Sequence, residues 1–259
     1  MLMSVRGAIA ATLLAGTALA ATPAFADEAA PPSDITVTGS ASVASQYRFR
    51  GISQSDNKPV IQGAITVSHS SGFYVATWGS SATGNDAVDI GGTEIDVYGG
   101  WTGKLGGSGV TLDAGVYGYL YPGNTPGNVY ELYGSLAYAL GPVNAKAGVY
   151  FAPDQKNTSR SNTYVYGELS GAIPNTPLTV HTHLGHTGGA FDFPKQYIDY
   201  TAGVTYSWKH LSLDASIVGT NLKRSDFVAA GCDTPGFASC NTLHRVSKAV
   251  GVVTLTASF

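Results

Sequence analysis

The feature that most limits what this chain can fold into is a pattern that recurs along most of it: about ten residues of alternating polarity, then a turn. In Val129 to Leu140, Tyr130, Leu132, Gly134, Leu136, Tyr138 and Leu140 share one face, while Glu131, Tyr133, Ser135 and Ala137 share the other. Ile198 to Trp208 repeats the arrangement, with Ile198, Tyr200, Ala202, Val204, Tyr206 and Trp208 set against Asp199, Thr201, Gly203, Thr205 and Ser207. A period of two belongs to a strand; wound on a helix, the same residues would scatter around the circumference. The period marks twelve segments, near 35–49, 59–69, 72–80, 92–103, 110–121, 128–140, 143–152, 162–173, 177–187, 197–208, 211–221 and 247–259. In 72–80, Phe73 and Val75 compete with Tyr74, Ala76 and Trp78 for the apolar face.

Such strands need an environment. Charged residues are 12% of the chain, about half the usual share, while glycine (33) and tyrosine (15) are plentiful. That surface is poorly protected in water but suits lipid. Beyond the N-terminus no segment reaches the roughly eighteen apolar residues of a spanning helix, so a membrane protein of this sequence must be a closed barrel without an open sheet edge. The connections agree. Ser70-Ser71, residues 105–109, Gly141-Pro142, 174–176 and Lys209-His210 are tight, whereas the alternate ones are mostly longer, the longest being 222–246. Short turns on one rim and long loops on the other describe an outer-membrane barrel, and an even strand number puts both ends of the barrel chain on the short-turn, periplasmic side. Twelve strands are the first choice, with ten or fourteen left open. Aromatic residues fall at strand ends: Phe73, Trp101, Tyr138, Trp208 and Phe259 toward the short turns, and Tyr47, Phe49, Tyr130, Phe151 and Tyr200 toward the long loops. Two girdles flanking an apolar band are expected at the two membrane interfaces.

At the N-terminus, Arg6, the apolar stretch Gly7 to Ala21 and Ala24-Phe25-Ala26 read as a secretory signal cleaved before Asp27. The expected organisation is a signal peptide at 1–26, a short linker at 27–33 and a barrel at 34–259, in the outer membrane of a Gram-negative bacterium. Cys232 and Cys240, the only cysteines, lie close together in the longest loop and are expected to form a disulfide, as exported cysteines do. No metal or cofactor site is expected.

The stretch Ser45-Gln46-Tyr47-Arg48-Phe49-Arg50-Gly51-Ile52-Ser53-Gln54 resembles the first-strand signature of the TorF family of porin-type proteins. The likeness extends over the chain from the opening Thr-Gly-Ser run to the closing Phe. It implies an outer-membrane barrel of porin type, and it carries neither a defined solute nor catalytic residues. The alternating strand that ends on Phe259 likewise resembles the signal read by the barrel-insertion machinery.

With the apolar face outward, the opposite face lines the lumen. It holds Glu94, Asp96, Asp113, Glu131, Glu168, Asp199 and Asp214 against Arg48, Arg50 and Lys146, an acidic excess that favours cations and neutral polar solutes over anions. Arg48 and Arg50 project inward near the long-loop rim. Two readings compete for them: one side of a constriction, or a structural ion pair locking the first strand to its neighbours. His181 and His183 share the inward face of one strand beside Asp199; ordinary polar lining is favoured over a metal cluster, because alternate strand residues stand about 7 Å apart. His186 could serve a serine nucleophile, but no nucleophile motif accompanies it, so an enzyme is not expected.

The leading expectation is passive diffusion of small polar solutes with weak cation preference. The alternative is a barrel with an occluded lumen that acts through its loops as receptor, adhesin or structural protein, which networks around Arg48, Arg50 and Lys146 closing the bore would favour. The expected partners are outer-membrane lipid, the insertion machinery and small polar solutes. A net charge of -3 without a basic cluster argues against nucleic acid. Oligomeric state is not legible.

Overall fold

A computed structural model describes residues 34–84, 91–123, 127–158, 160–234 and 238–259. The expected signal peptide (1–26) and linker (27–33) lie outside the described residues. Twelve antiparallel strands close on themselves: β1 (Ile35–Ala44), β4 (Val60–His69), β5 (Phe73–Ser81), β6 (Thr93–Lys104), β7 (Thr111–Leu120), β8 (Val129–Leu140), β9 (Val143–Ala152), β10 (Asn162–Ala172), β11 (Leu178–Gly189), β12 (Tyr197–Trp208), β13 (Leu211–Thr220) and β14 (Val250–Ser258). Neighbours in sequence pair with one another, and β1 closes the ring on β14 from Ser40↔Ser258 to Ala44↔Thr254. Inside this seam the Ser42 and Thr256 hydroxyls meet at 2.9 Å.

Alternation sets the two faces as the sequence predicts. Ile61, Val116, Leu132, Leu184 and Ile217 point outward and are more than half exposed. Aliphatic side chains exposed around the whole wall form a surface that hydrocarbon accepts and water does not. The strand at 73–81 resolves its ambiguity in favour of Phe73 and Val75 outside, with Tyr74 and Ala76 buried inside. Phe73, Tyr138, Trp208 and Phe259 ring the short-turn end, exposed at 64, 45, 56 and 64%. The Phe259 ring lies over Gly39, where a Cβ would come within 2.5 Å of its Cζ; the absent side chain lets the last residue seat against β1. The backbones of Gly39 and Phe259 also bond to each other in both directions at 2.9 Å.

Two features depart from the expected pattern. The first strand ends at Ala44 rather than Phe49. Ser45 still donates its N–H to the carbonyl of Val253 at 2.8 Å, and then the chain leaves the wall. It forms a small hairpin of β2 (Arg48–Phe49) and β3 (Ile52–Ser53), paired Arg48↔Ser53 and Phe49↔Ile52. The two turn residues, Arg50 (φ 46) and Gly51 (φ 79), are both left-handed. That is the requirement of the tight hairpin turn whose twist matches the strands. Tyr47 is therefore buried (3% exposed), and Phe49 packs against the interior cluster, so neither belongs to the outer girdle. Second, the last loop contains helices α1 (Arg224–Ala229) and α2 (Cys240–Ser247), so the final strand starts at Val250 rather than 247.

Candidate functional site

The interior builds up from the inward residue of each wall strand. On one side these are tyrosines: Tyr74 on β5, Tyr98 on β6, Tyr117 and Tyr119 on β7, Tyr133 on β8, Tyr150 on β9, Tyr164 and Tyr166 on β10. Their rings pack edge or face against one another, from Tyr98 on Tyr117 (4.7 Å, stacked) through Tyr133 on Tyr150 (5.5 Å) to Tyr166 on His183 (5.7 Å). Their hydroxyls donate to carboxylates of the same wall. Tyr117 donates to Asp96 at 2.7 Å, Tyr74 to Asp113 at 2.8 Å and Tyr119 to Glu131 at 2.9 Å. Tyr74 and Tyr133 also share a hydroxyl contact. A charged acceptor strengthens such a bond, and an acid withdrawn from water needs one.

The hairpin of the first loop (45–59) reaches into this interior. The Tyr47 hydroxyl donates to Glu94 on β6 at 3.0 Å. Arg50 extends its Nη2 to Glu131 on β8 at 2.6 Å, with both side chains fully buried. The guanidinium lies 4.3 Å from the Tyr164 ring centroid and 4.6 Å from that of Phe49, a cation held between aromatic faces. Gly51 abuts β12 and β13 instead: a Cβ there would meet Thr220 Cγ2 at 2.6 Å, the carbonyl of Gly219 at 2.7 Å and Asp199 Cβ at 2.8 Å. The hairpin thus bridges the bore from β6 and β8 to β12 and β13. Among the described residues, Arg48 pairs with no acid. It donates to Gln46 Oε1 (2.8 Å), to the carbonyls of Gly51 (2.7 Å) and Lys248 (3.0 Å), and to Asn57 Oδ1 (3.1 Å), so it braces the hairpin. Of the two arginines read as constriction or ion pair, Arg50 is in the ion pair and Arg48 in neither acid contact.

The last loop covers the first. The Arg245 guanidinium binds the Asp56 carboxylate, Asn57 Nδ2 donates to the carbonyl of Arg245 at 3.3 Å, and Ile52 packs against a cluster that includes Leu222, Phe227 and Leu243. The same cluster holds Cys232 and Cys240, bonded to each other with Cα atoms 5.2 Å apart. The Arg245 hydrogen bond, followed by that of Lys58, holds the Asp56 carboxyl below its usual range. A depressed carboxyl contributes stability above the ordinary carboxylate range and loses it as the pH falls through the depressed value. Acidification is therefore expected to loosen the first loop from the last, read as faster proteolytic cleavage within 45–59 in the folded barrel. Asp56→Asn should give the same cleavage at neutral pH, and equal cleavage of wild type and variant at every pH would remove the latch.

Below the hairpin, toward the short turns, the interior is wetter. Lys146, Glu168, His181 and His183 are partly exposed, whereas Glu94, Asp96, Asp199 and Glu131 at hairpin level are 1–3% exposed. Asp113 and Asp214 are each 8% exposed. Lys146 faces Glu168 across the β9–β10 pair, its Nζ 5.7 Å from the Tyr166 ring centroid. The two histidines divide between different acids: His181 Nε2 bonds Asp214 Oδ2 at 2.7 Å, and His183 meets Glu168 and Asp199. His186 faces outward with Val165 and Ile198 as cross-strand neighbours, rather than a serine. Sequence reasoning placed the charged residues on the inner face but missed what surrounds them. The signal was there: most tyrosines sit in register with the polar face of their strands, opposite to the apolar one.

A family model described as a bacterial protein of unknown function, Gcw_chp, matches residues 28–259. The chain belongs to the Gcw_chp family. The TorF name suggested by the Tyr-Arg-Phe-Arg-Gly segment is not the description this family carries. Comparison with proteins of curated function finds no match. Among solved structures, the NanC porin is 12% identical and superposes over 86% of this chain and 99% of its own, with a TM-score of 0.52. OmpF from Salmonella typhi in complex with daunomycin is 8% identical over 87% and 97% of the two chains, with a TM-score of 0.44. LpxR from Salmonella typhimurium is 8% identical over 86% and 99%, with a TM-score of 0.42. At such identities NanC shares the fold, a porin-type barrel, and the other two carry no further argument.

Proposed function

We propose that this Gcw_chp protein is a narrow outer-membrane porin for small cations and neutral polar solutes, whose bore is restricted by its own first loop. The observation that carries this reading is the hairpin tip, Arg50-Gly51, anchored to Glu131 on one side and packed against β12 and β13 on the other, above a wetter, acid-rich half of the bore. An eight-stranded barrel is filled by its side chains and a sixteen-stranded one leaves a channel. A twelve-stranded wall holding an inserted loop gives a constricted path, and the acid excess favours cations within it. Export by a cleaved leader and insertion through the C-terminal strand complete the reading.

A second reading has its own support. Arg50 and Glu131 are fully buried, which suits a bore that stays shut while the loops engage a partner. Planar-bilayer recording of the purified, refolded chain (27–259) in a salt gradient separates the two. Small discrete steps with cation preference are expected. A folded, heat-modifiable barrel that gives no steps would leave the closed, loop-acting barrel, and clear anion preference would overturn the charge argument.

A further inference from the structure

His183 stands at the border between the wetter half of the bore and the hairpin, where its ring touches two acids. Its Nδ1 lies 3.1 Å from Glu168 Oε1 and its Nε2 lies 3.2 Å from Asp199 Oδ1. Ionised carboxylates only accept hydrogen bonds, and a neutral imidazole has one donor, so both contacts are made together when both ring nitrogens carry protons. An imidazolium makes both contacts, whereas a neutral imidazole keeps the one to Glu168 and accepts the Tyr164 hydroxyl, 2.6 Å away, at Nε2.

The surroundings make this charge count. Glu168 is the direct cross-strand partner of both His183 on β11 and Lys146 on β9, so the three share one row of the wall. On β10, Tyr166 stacks on the imidazole at 5.7 Å, and the Tyr164 hydroxyl meets His183 Nε2 at 2.6 Å and Asp199 at 3.1 Å. On β11 itself, His181 turns away to Asp214. The Tyr164 ring also carries the Arg50 guanidinium on its face, and Asp199 Cβ adjoins the Gly51 position. His183 is therefore placed where the solute path meets the hairpin.

We infer that His183 sets the pH dependence of the bore's selectivity: protonated, it neutralises part of the acidic wall, and on releasing a proton to water it leaves Glu168 and Asp199 short of one positive charge and makes the path more selective for cations. This rests on the porin reading above. Histidine is the side chain whose ordinary charge change lies nearest neutrality.

Two measurements on the refolded chain test it independently. Nitrogen-15 NMR of histidine-labelled protein, with His183→Asn to assign the signal, should show His183 with both ring nitrogens protonated at neutral pH. A neutral tautomer there overturns the inference whether or not the barrel conducts. Reversal potentials in a salt gradient should grow more cation-preferring as the pH rises. His183→Asn should lose most of that shift, His183→Lys should hold the low-pH preference throughout, and His181→Asn should keep the shift. A shift that survives in His183→Asn, or vanishes in His181→Asn, assigns the selectivity elsewhere and refutes the role given to His183. Complete absence of conductance in the wild type would defeat the porin reading and the selectivity role with it, while the NMR titration would still decide the charge state.

Discussion

Arg50→Ala is expected to open the bore, raising single-channel conductance several-fold over the wild type. The Arg50 guanidinium ties the hairpin tip to Glu131 by a 2.6 Å bond between fully buried side chains, and the rings of Phe49 and Tyr164 hold it in place. Removing one partner of a buried pair leaves an uncompensated charge, which costs about 3–5 kcal/mol. The structure can escape that cost by letting water reach Glu131, and water arrives when the hairpin withdraws. Stability should fall as conductance rises, read as a lower midpoint of heat modification on gels. Arg50→Ala combined with Glu131→Ala should regain part of the stability without closing the path, because the unpaired acid is gone but the anchor is still missing. Gly51→Val reaches the same end by another route. Its side chain would need a left-handed backbone and would collide with Thr220, Gly219 and Asp199, so the tip cannot seat against β12 and β13. If Arg50→Ala and Gly51→Val both fold and conduct as the wild type does, the hairpin does not control the bore.

Asp113→Asn with Asp214→Asn is expected to move the reversal potential from cation preference to near zero or beyond. These two acids lie below the hairpin on β7 and β13, each 8% exposed, on widely separated parts of the wall. Asparagine keeps the Tyr74 hydroxyl bond at Asp113, while at Asp214 it removes the charge and also alters the contact with His181. Lys146→Glu should act in the opposite sense and deepen the cation preference, since it turns a positive group of the bore into a negative one. Conductance steps of ordinary size with unaltered reversal potentials in both variants would place the selectivity at the rims rather than in the bore.

The effect of these residues could be foreseen only in part. The period of two placed Glu131, Asp199 and Lys146 on the inner face, because side-chain direction in a strand is a local matter of alternation. It also placed Leu132, Val204 and Trp208 outside, and the alternation of tight and long connections gave the sidedness of the loops. The alternation overruns the first strand for an equally local reason: Tyr47, Arg48, Phe49 and Arg50 continue it without a break. Nothing in that run says that it leaves the wall. The Arg50-Gly51 turn was the available clue, obscured because Arg is not a usual residue for a left-handed turn position.

What the sequence determined by itself is the wall: the strands, their inward and outward faces, the even closure and the order of short and long connections. Each follows from backbone geometry, and in a membrane the need to pair every backbone group leaves the alternating strands little choice but a closed ring. The tertiary structure alone decided what fills the ring. The Arg50–Glu131 pair joins residues 81 positions apart, Tyr47 meets Glu94 across 47, and Asp56 meets Arg245 across 189. Such partners are chosen by which side chains the curvature of the closed wall brings face to face, and no local period records that distance.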